Sequence, residues 1–190
     1  MVKYRPFFAS RFLKIVVPER NIYKVSIDDE SLMASLLTIA PVDQLQSEIA
    51  SSVRERTTPG IYVSLNKSHK GSETFLKKAK VNTQQLFFID CVTTEKKEEG
   101  AIHVSPDDLE ILKSTIYSFV DQIKGRHFLV IDALSTLLIY NNENSVCKFI
   151  KEIIDKTEQK DVDIRAFSPE TKGEELLTKV FNFFDQVDRK

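Results

Sequence analysis

His127-Phe128-Leu129-Val130-Ile131-Asp132 places four large apolar residues in a row between a histidine and an aspartate. A strand with one wet face alternates polar and apolar residues, so an unbroken run of this length predicts a strand covered on both faces. Leu86-Phe87-Phe88-Ile89-Asp90 repeats the pattern and also ends in an aspartate. Working outward, Ser35-Leu36-Leu37-Thr38-Ile39-Ala40, Ile61-Tyr62-Val63-Ser64-Leu65 and Val162-Asp163-Ile164-Arg165-Ala166-Phe167 read as three further strands. The last of these alternates, which places it nearer the edge of the sheet.

Helical periodicity fills the gaps. Val42, Leu45, Ile49 and Val53 recur at spacings of three and four, giving one apolar stripe. Leu109, Leu112, Ile116, Phe119, Val120 and Ile123 form a second stripe, opened by the cap-and-proline sequence Ser105-Pro106-Asp107-Asp108 and closed by Gly125. Val146, Phe149, Ile150, Ile153 and Ile154 mark a third helix, and Leu176, Leu177, Val180, Phe181, Phe184 and Val187 a fourth. Strands alternating with helices predict an α/β protein, a mainly parallel sheet with helices on both faces. The run Thr94-Glu95-Lys96-Lys97-Glu98-Glu99-Gly100 reads as a solvated loop.

The 190 residues suit one domain with a short extension. With 42% hydrophobic residues and 29% charged ones, the chain is too apolar for disorder and too charged for a membrane protein. No run approaches eighteen consecutive apolar residues, so no membrane span is expected. Cys91 and Cys147 cannot build a disulfide framework, which favours a reducing cytosol and a cytoplasmic protein. Lys and Arg total 27 against 28 Asp and Glu, so the molecule as a whole is not a basic nucleic-acid binder.

The N-terminus differs locally. Lys3, Arg5, Arg11, Lys14, Arg20 and Lys24 stand against the single acid Glu19, with Tyr4, Phe7, Phe8 and Phe12 interleaved. Residues 1–30 are therefore read as a basic N-terminal extension. Lys3, Arg5, Arg11 and Lys14 are the candidate contacts to an anionic partner, single-stranded nucleic acid among them. An anionic membrane surface, subunit packing and a solvated edge of the domain are the alternatives.

In such a fold, the turn after the first strand is where a helix N-terminus receives a phosphate. Here it reads Ile39-Ala40-Pro41-Val42-Asp43-Gln44-Leu45-Gln46-Ser47-Glu48. A phosphate cradle needs glycines, so that backbone N–H groups can converge, and a lysine for the outer phosphates. Neither is present, Pro41 removes a donor, and Asp43 and Glu48 bring the wrong charge.

Three segments nevertheless carry a likeness. Pro59-Gly60-Ile61-Tyr62-Val63-Ser64-Leu65, Phe128-Leu129-Val130-Ile131-Asp132-Ala133-Leu134-Ser135-Thr136-Leu137 and Phe183-Phe184-Asp185-Gln186-Val187-Asp188 resemble three parts of the RecA-superfamily ATPase core. These are its second strand, its Walker B strand with continuation, and its closing strand, in the KaiC/RadA-like branch of archaea and bacteria. The resemblance spans roughly residues 31–190 and implies a three-layer RecA-like domain of P-loop NTPase type, ending in a helix that runs into a final strand.

The departures fall on the catalytic parts. Ala40 to Glu48 replaces Walker A, and Asn66-Lys67 replaces the catalytic glutamate pair. Asp132 remains at the Walker B position that in active members helps hold Mg²⁺. The resemblance thus implies a degenerate, non-hydrolysing relative with no catalytic residues, no cofactor and no metal. It further implies self-association or pairing with an active paralogous ATPase, in signalling or DNA transactions. The rival expectations are a nucleic-acid-binding accessory protein using the basic segment, and an ATPase with an unorthodox loop.

Remaining candidates have plainer readings. Asp90 and Asp132 both end strands, and either pair for metal or acid–base chemistry or cap the following turns. Cys91 and Cys147 read as packing thiols, and His69, His103 and His127 lack a metal-ligand spacing. Lys67, His69, Lys70, Lys77, Lys78 and Lys80 make a local basic surface, read first as a solvated face, with contact to an acidic partner, nucleic acid or phosphate as the alternative.

Overall fold

The computed structural model describes residues 35–92, 99–170 and 175–190. The strands are β1 (Ser35–Ala40), β2 (Gly60–Ser64), β3 (Leu86–Asp90), β4 (Ala101–His103), β5 (His127–Asp132), β6 (Val162–Pro169) and β7 (Gln186–Arg189). The helices are α1 (Val42–Arg54), α2 (His69–Lys78), α3 (Leu109–Gln122), α4 (Leu137–Tyr140), α5 (Glu143–Gln159) and α6 (Glu175–Val180). One sheet forms in the order β4-β3-β2-β5-β6-β1-β7, every neighbouring pair parallel. Parallel neighbours need crossovers, and outside the β3–β4 pair the helices lie in these connections, on both faces of the sheet.

Strand alternation divides the core in two. Leu37, Ile39, Ile61, Val63, Ile89, Leu129, Ile131 and Ile164 point to one face, where Leu112, Ile116 and Phe119 of α3 and Val146, Phe149, Ile150 and Ile153 of α5 cover them. Tyr62, Phe88, Phe128, Val130 and Phe167 point to the other, under Leu45, Ile49 and Val53 of α1 and Leu76 of α2. Gly60 is fixed by this packing: a Cβ there would lie 2.3 Å from the tip of the Phe128 ring.

The expected α/β architecture with helices on both faces is the observed one. Four local expectations are corrected. β6 is not near an edge but lies between β5 and β1. Its alternation comes from a buried charge rather than from solvent: Asp163 on β6 is ion-paired with Arg56 and lies 3.8 Å from Arg126. The cap of α3 is Asp108, whose carboxylate accepts from the Ile111 N–H at 2.9 Å, and not the Ser105-Pro106 step. Val42 is 70% exposed, so the apolar stripe of α1 starts at Leu45. Val187 belongs to β7, because the last helical stretch stops at Val180 before a short 3₁₀ turn, Phe181–Phe183. The expected final strand is therefore present, one element later than the helical periodicity suggests.

Among the described residues no helix is long and apolar enough to cross a membrane. Lys3, Arg5, Arg11, Lys14 and the rest of the basic extension lie outside the described residues, as does most of the Thr94–Gly100 run.

Candidate functional site

Open parallel sheets place their chemistry at the carboxyl ends of the strands, and here that edge is built as follows. β1 ends at Ala40 and α1 begins at Val42, so Pro41 alone connects them. The Pro41 carbonyl accepts from the N–H groups of Gln44 and Leu45, both at 2.9 Å. The carbonyls at the end of β1 are also engaged: Ile39 accepts from the Lys190 N–H and Ala40 from the Glu170 N–H. A one-residue link cannot curl around an anion, because several successive N–H groups must converge to do so.

The two strand-end aspartates share one row of the sheet. Ser64 of β2 is in register with Asp90 of β3 on one side and Asp132 of β5 on the other. The carboxylates are thus two strand spacings apart, about 10 Å, with Ser64 between them. The Ser64 hydroxyl donates to the Lys67 carbonyl at 2.6 Å and lies 2.6 Å from the Ser72 hydroxyl.

Each fully buried carboxylate has its own partners. Asp90 accepts from the backbone N–H of His69 and of Val92, both at 2.8 Å, and its Oδ2 lies 3.6 Å from Nδ1 of His103. It therefore holds the first residue of α2 and the turn after β3. Ser68 completes that helix start by accepting from the Gly71 N–H. Asp132 accepts from the Tyr62 hydroxyl at 2.7 Å and from the Asn66 side-chain amide at 3.2 Å. Burial pushes the Asp132 carboxyl above its ordinary range, against the two hydrogen bonds and the charge of Lys67. Burial, with the carboxylate beside it, also drives the Tyr62 phenol well up.

The surrounding loops are tied together by side chains. The Asn66 side-chain oxygen Oδ1 accepts from the Thr136 hydroxyl, in the turn after β5. Lys67 reaches across to Gln46 of α1, and its ammonium lies 5.1 Å from the Phe75 ring centroid. Asn66 and Lys67, which stand where the resembled family has its glutamate pair, thus link the turn after β2 to α1 and to the turn after β5. Tyr62, Thr136 and Gln46 belong to this network and were not singled out from the sequence. Tyr62 had a usable signal, since two residues before Ser64 it must share that residue's face.

The remaining candidates stay apart from this edge chemistry. Cys91 is buried, and burial with the adjacent Asp90 pushes its thiol up to about 12, far from a reactive thiolate. Burial also raises Cys147. Among the described residues no group of three or more His, Cys, Asp or Glu could hold a metal ion. In the basic surface along α2, Lys77 pairs with Glu73 at 2.8 Å, while Lys70, Lys78 and Lys80 are exposed.

Topology and edge together define an α/β domain of RecA/KaiC-like fold. Two solved structures from Pyrococcus horikoshii OT3 are similar to it. One is the protein of the structural study of Project ID PH0250, with a TM-score of 0.58 at 12% identity, covering 82% of this chain and 81% of that one. The other is the KaiC-like protein PH0186, with a TM-score of 0.54 at 11% identity, covering 72% of this chain and 61% of that one. At such identities the likeness is one of fold. The chain belongs to the family described as protein of unknown function (DUF835), whose model matches residues 39–162. No curated protein matches the chain.

Proposed function

We propose that this chain is a non-hydrolysing RecA/KaiC-like protein, a pseudo-ATPase that works as a regulatory or scaffolding interaction protein. The observation that carries the reading is the single-residue link at Pro41 between β1 and α1. Phosphoryl transfer in this fold depends on positioned charge at three places: an anion cradle with its lysine, a metal-holding aspartate and a group that orients the nucleophile. The cradle is replaced by Pro41. The orienting position is filled by Asn66 and Lys67, whose side chains are engaged by Asp132, Thr136 and Gln46. Asp132 is occupied by Tyr62 and Asn66.

With the chemistry removed, what this reading retains is a rigid parallel sheet and its surfaces, suited to self-association or to pairing with an active paralogue. Thermal melts of the full chain with and without ATP-Mg²⁺ test it. A ligand at 100 times its dissociation constant would add about 2.7 kcal/mol of stability. The expected result is no shift in Tm, and a shift of several degrees overturns the reading.

A further inference from the structure

The strands and their loops are accounted for by the edge described above, but the surface between α3 and α5 is not. A groove of about 660 Å³ runs there, lined by Asp107, Asp108, Glu110 and Glu152 together with Lys113 and Lys148. Both lysines are engaged: Lys113 lies 2.7 Å from Glu110 and from Glu152, and Lys148 lies 3.8 Å from Glu152. Four carboxylates against two ammonium groups leave the groove net negative. Asn141 also lines it, and its amide donates to the Pro106 carbonyl, tying α4 to the lead-in of α3. The residues directly before Asn141 are Leu138, Ile139 and Tyr140, exposed at 38%, 74% and 54%. Three consecutive exposed large apolar residues beside an acidic groove make a surface that asks for cations and apolar side chains from one ligand.

The chain carries a segment of that composition. Residues 3–14 hold Lys3, Arg5, Arg11 and Lys14, no acid, and Tyr4, Phe7, Phe8 and Phe12. We infer that the α3–α5 groove and the α4 run beside it form a docking surface for residues 3–14 of a second copy of this chain. The inference rests on the scaffolding reading and names its contact: lysines and arginines over Asp107, Glu110 and Glu152, aromatic rings on Leu138, Ile139 and Tyr140.

The test is the mass of the full chain by light scattering across concentration, at low and at high salt. The expected result is concentration-dependent assembly that weakens as salt rises. Asp107→Lys with Glu110→Lys, both exposed and outside the core, should weaken assembly by about tenfold or more while leaving Tm within a few degrees. Arg5→Glu with Arg11→Glu should do the same. The two charge-reversed proteins, each defective alone, should assemble when mixed, because each restores the other's missing sign. A full chain that is monomeric at every concentration overturns the inference, as does assembly insensitive to both pairs of reversals, or a mixture that does not recover. None of these outcomes touches the nucleotide reading, which fails only on binding of ATP-Mg²⁺.

Discussion

Replacing Asp132 separates a structural carboxylate from a metal-holding one. In the native chain its two oxygens accept from Tyr62 and from Asn66 inside a site with no exposure. Asp132→Ala leaves the Tyr62 hydroxyl fully buried with no acceptor from residue 132, and frees Asn66 from its β5 anchor. An orphaned buried donor costs about 1–3 kcal/mol, and loss of a charge-assisted bond adds to it. The relief of a buried negative charge works in the opposite direction, so the net loss is about 3 kcal/mol. For a chain of this size that lowers Tm by about 6–12 °C. Asp132→Asn keeps the shape and an acceptor for Tyr62, and should cost only about 1 kcal/mol.

The same pair of proteins tests the protonation of Asp132. Its carboxyl is raised in the folded state by burial. The folded protein therefore holds this proton at a pH where the unfolded chain has released it, and stability from this group is lost as pH rises through the folded value. The stability of the wild type minus that of Asp132→Asn should accordingly grow as pH falls from 7 toward 4. Urea titrations at a series of pH values, with and without ATP-Mg²⁺, measure all of this. The reasoning is refuted if Asp132→Ala is as stable as wild type. It is equally refuted if wild type gains stability with ATP-Mg²⁺ and the alanine variant does not, because Asp132 would then be holding a metal.

Three further outcomes are expected. Gly60→Ala drives a Cβ into the Phe128 ring and should cost about 1–3 kcal/mol by overpacking, read as a lower urea midpoint; Gly60→Ala combined with Phe128→Leu should recover part of that loss. Arg56→Ala strips the ion-pair partner from buried Asp163, leaving Arg126 at 3.8 Å, and should cost about 3 kcal/mol, against about 1 kcal/mol or less for Lys151→Ala at an exposed pair. With its thiol pushed to about 12, Cys91 should resist iodoacetamide at pH 8.5 in the folded chain and react once urea unfolds it, as peptide mass mapping would record.

The strands were legible because their apolar side chains carry the signal themselves. β1, β3 and β5 begin and end where the runs of large residues do, and a doubly covered strand has no polar face to blur it. β6 was placed wrongly for a related reason: Asp163 and Arg165 look like solvent-facing residues, and only the tertiary partner Arg56 shows that the charge is buried. β4 has three residues, too few for any periodicity, and exists because β3 offers an open edge. At the candidate site, the short turn was readable from Ala40-Pro41-Val42, since a proline and the lack of glycine are local facts. The network of Tyr62, Asn66, Thr136 and Gln46 was not, because its members come from four elements and meet only when the strands are in register.

That register also separates the edge from the packing that holds the fold. The two core clusters are formed by side chains within the strands and along the helix stripes, and the turn at Pro41 contributes none of them. A one-residue turn there is compatible with both clusters, since neither includes Pro41. A strand-end aspartate is different, because it sits in the sheet with no exposure and must be satisfied from within. Asp90 achieves this with backbone donors from the first residue of α2 and from the turn that follows β3. Asp132 uses side chains instead, and one of them, Asn66, occupies a position where a glutamate would place a second negative charge against the first. An amide there donates where a carboxylate would repel, so Asn66 satisfies one oxygen of Asp132 from within the chain.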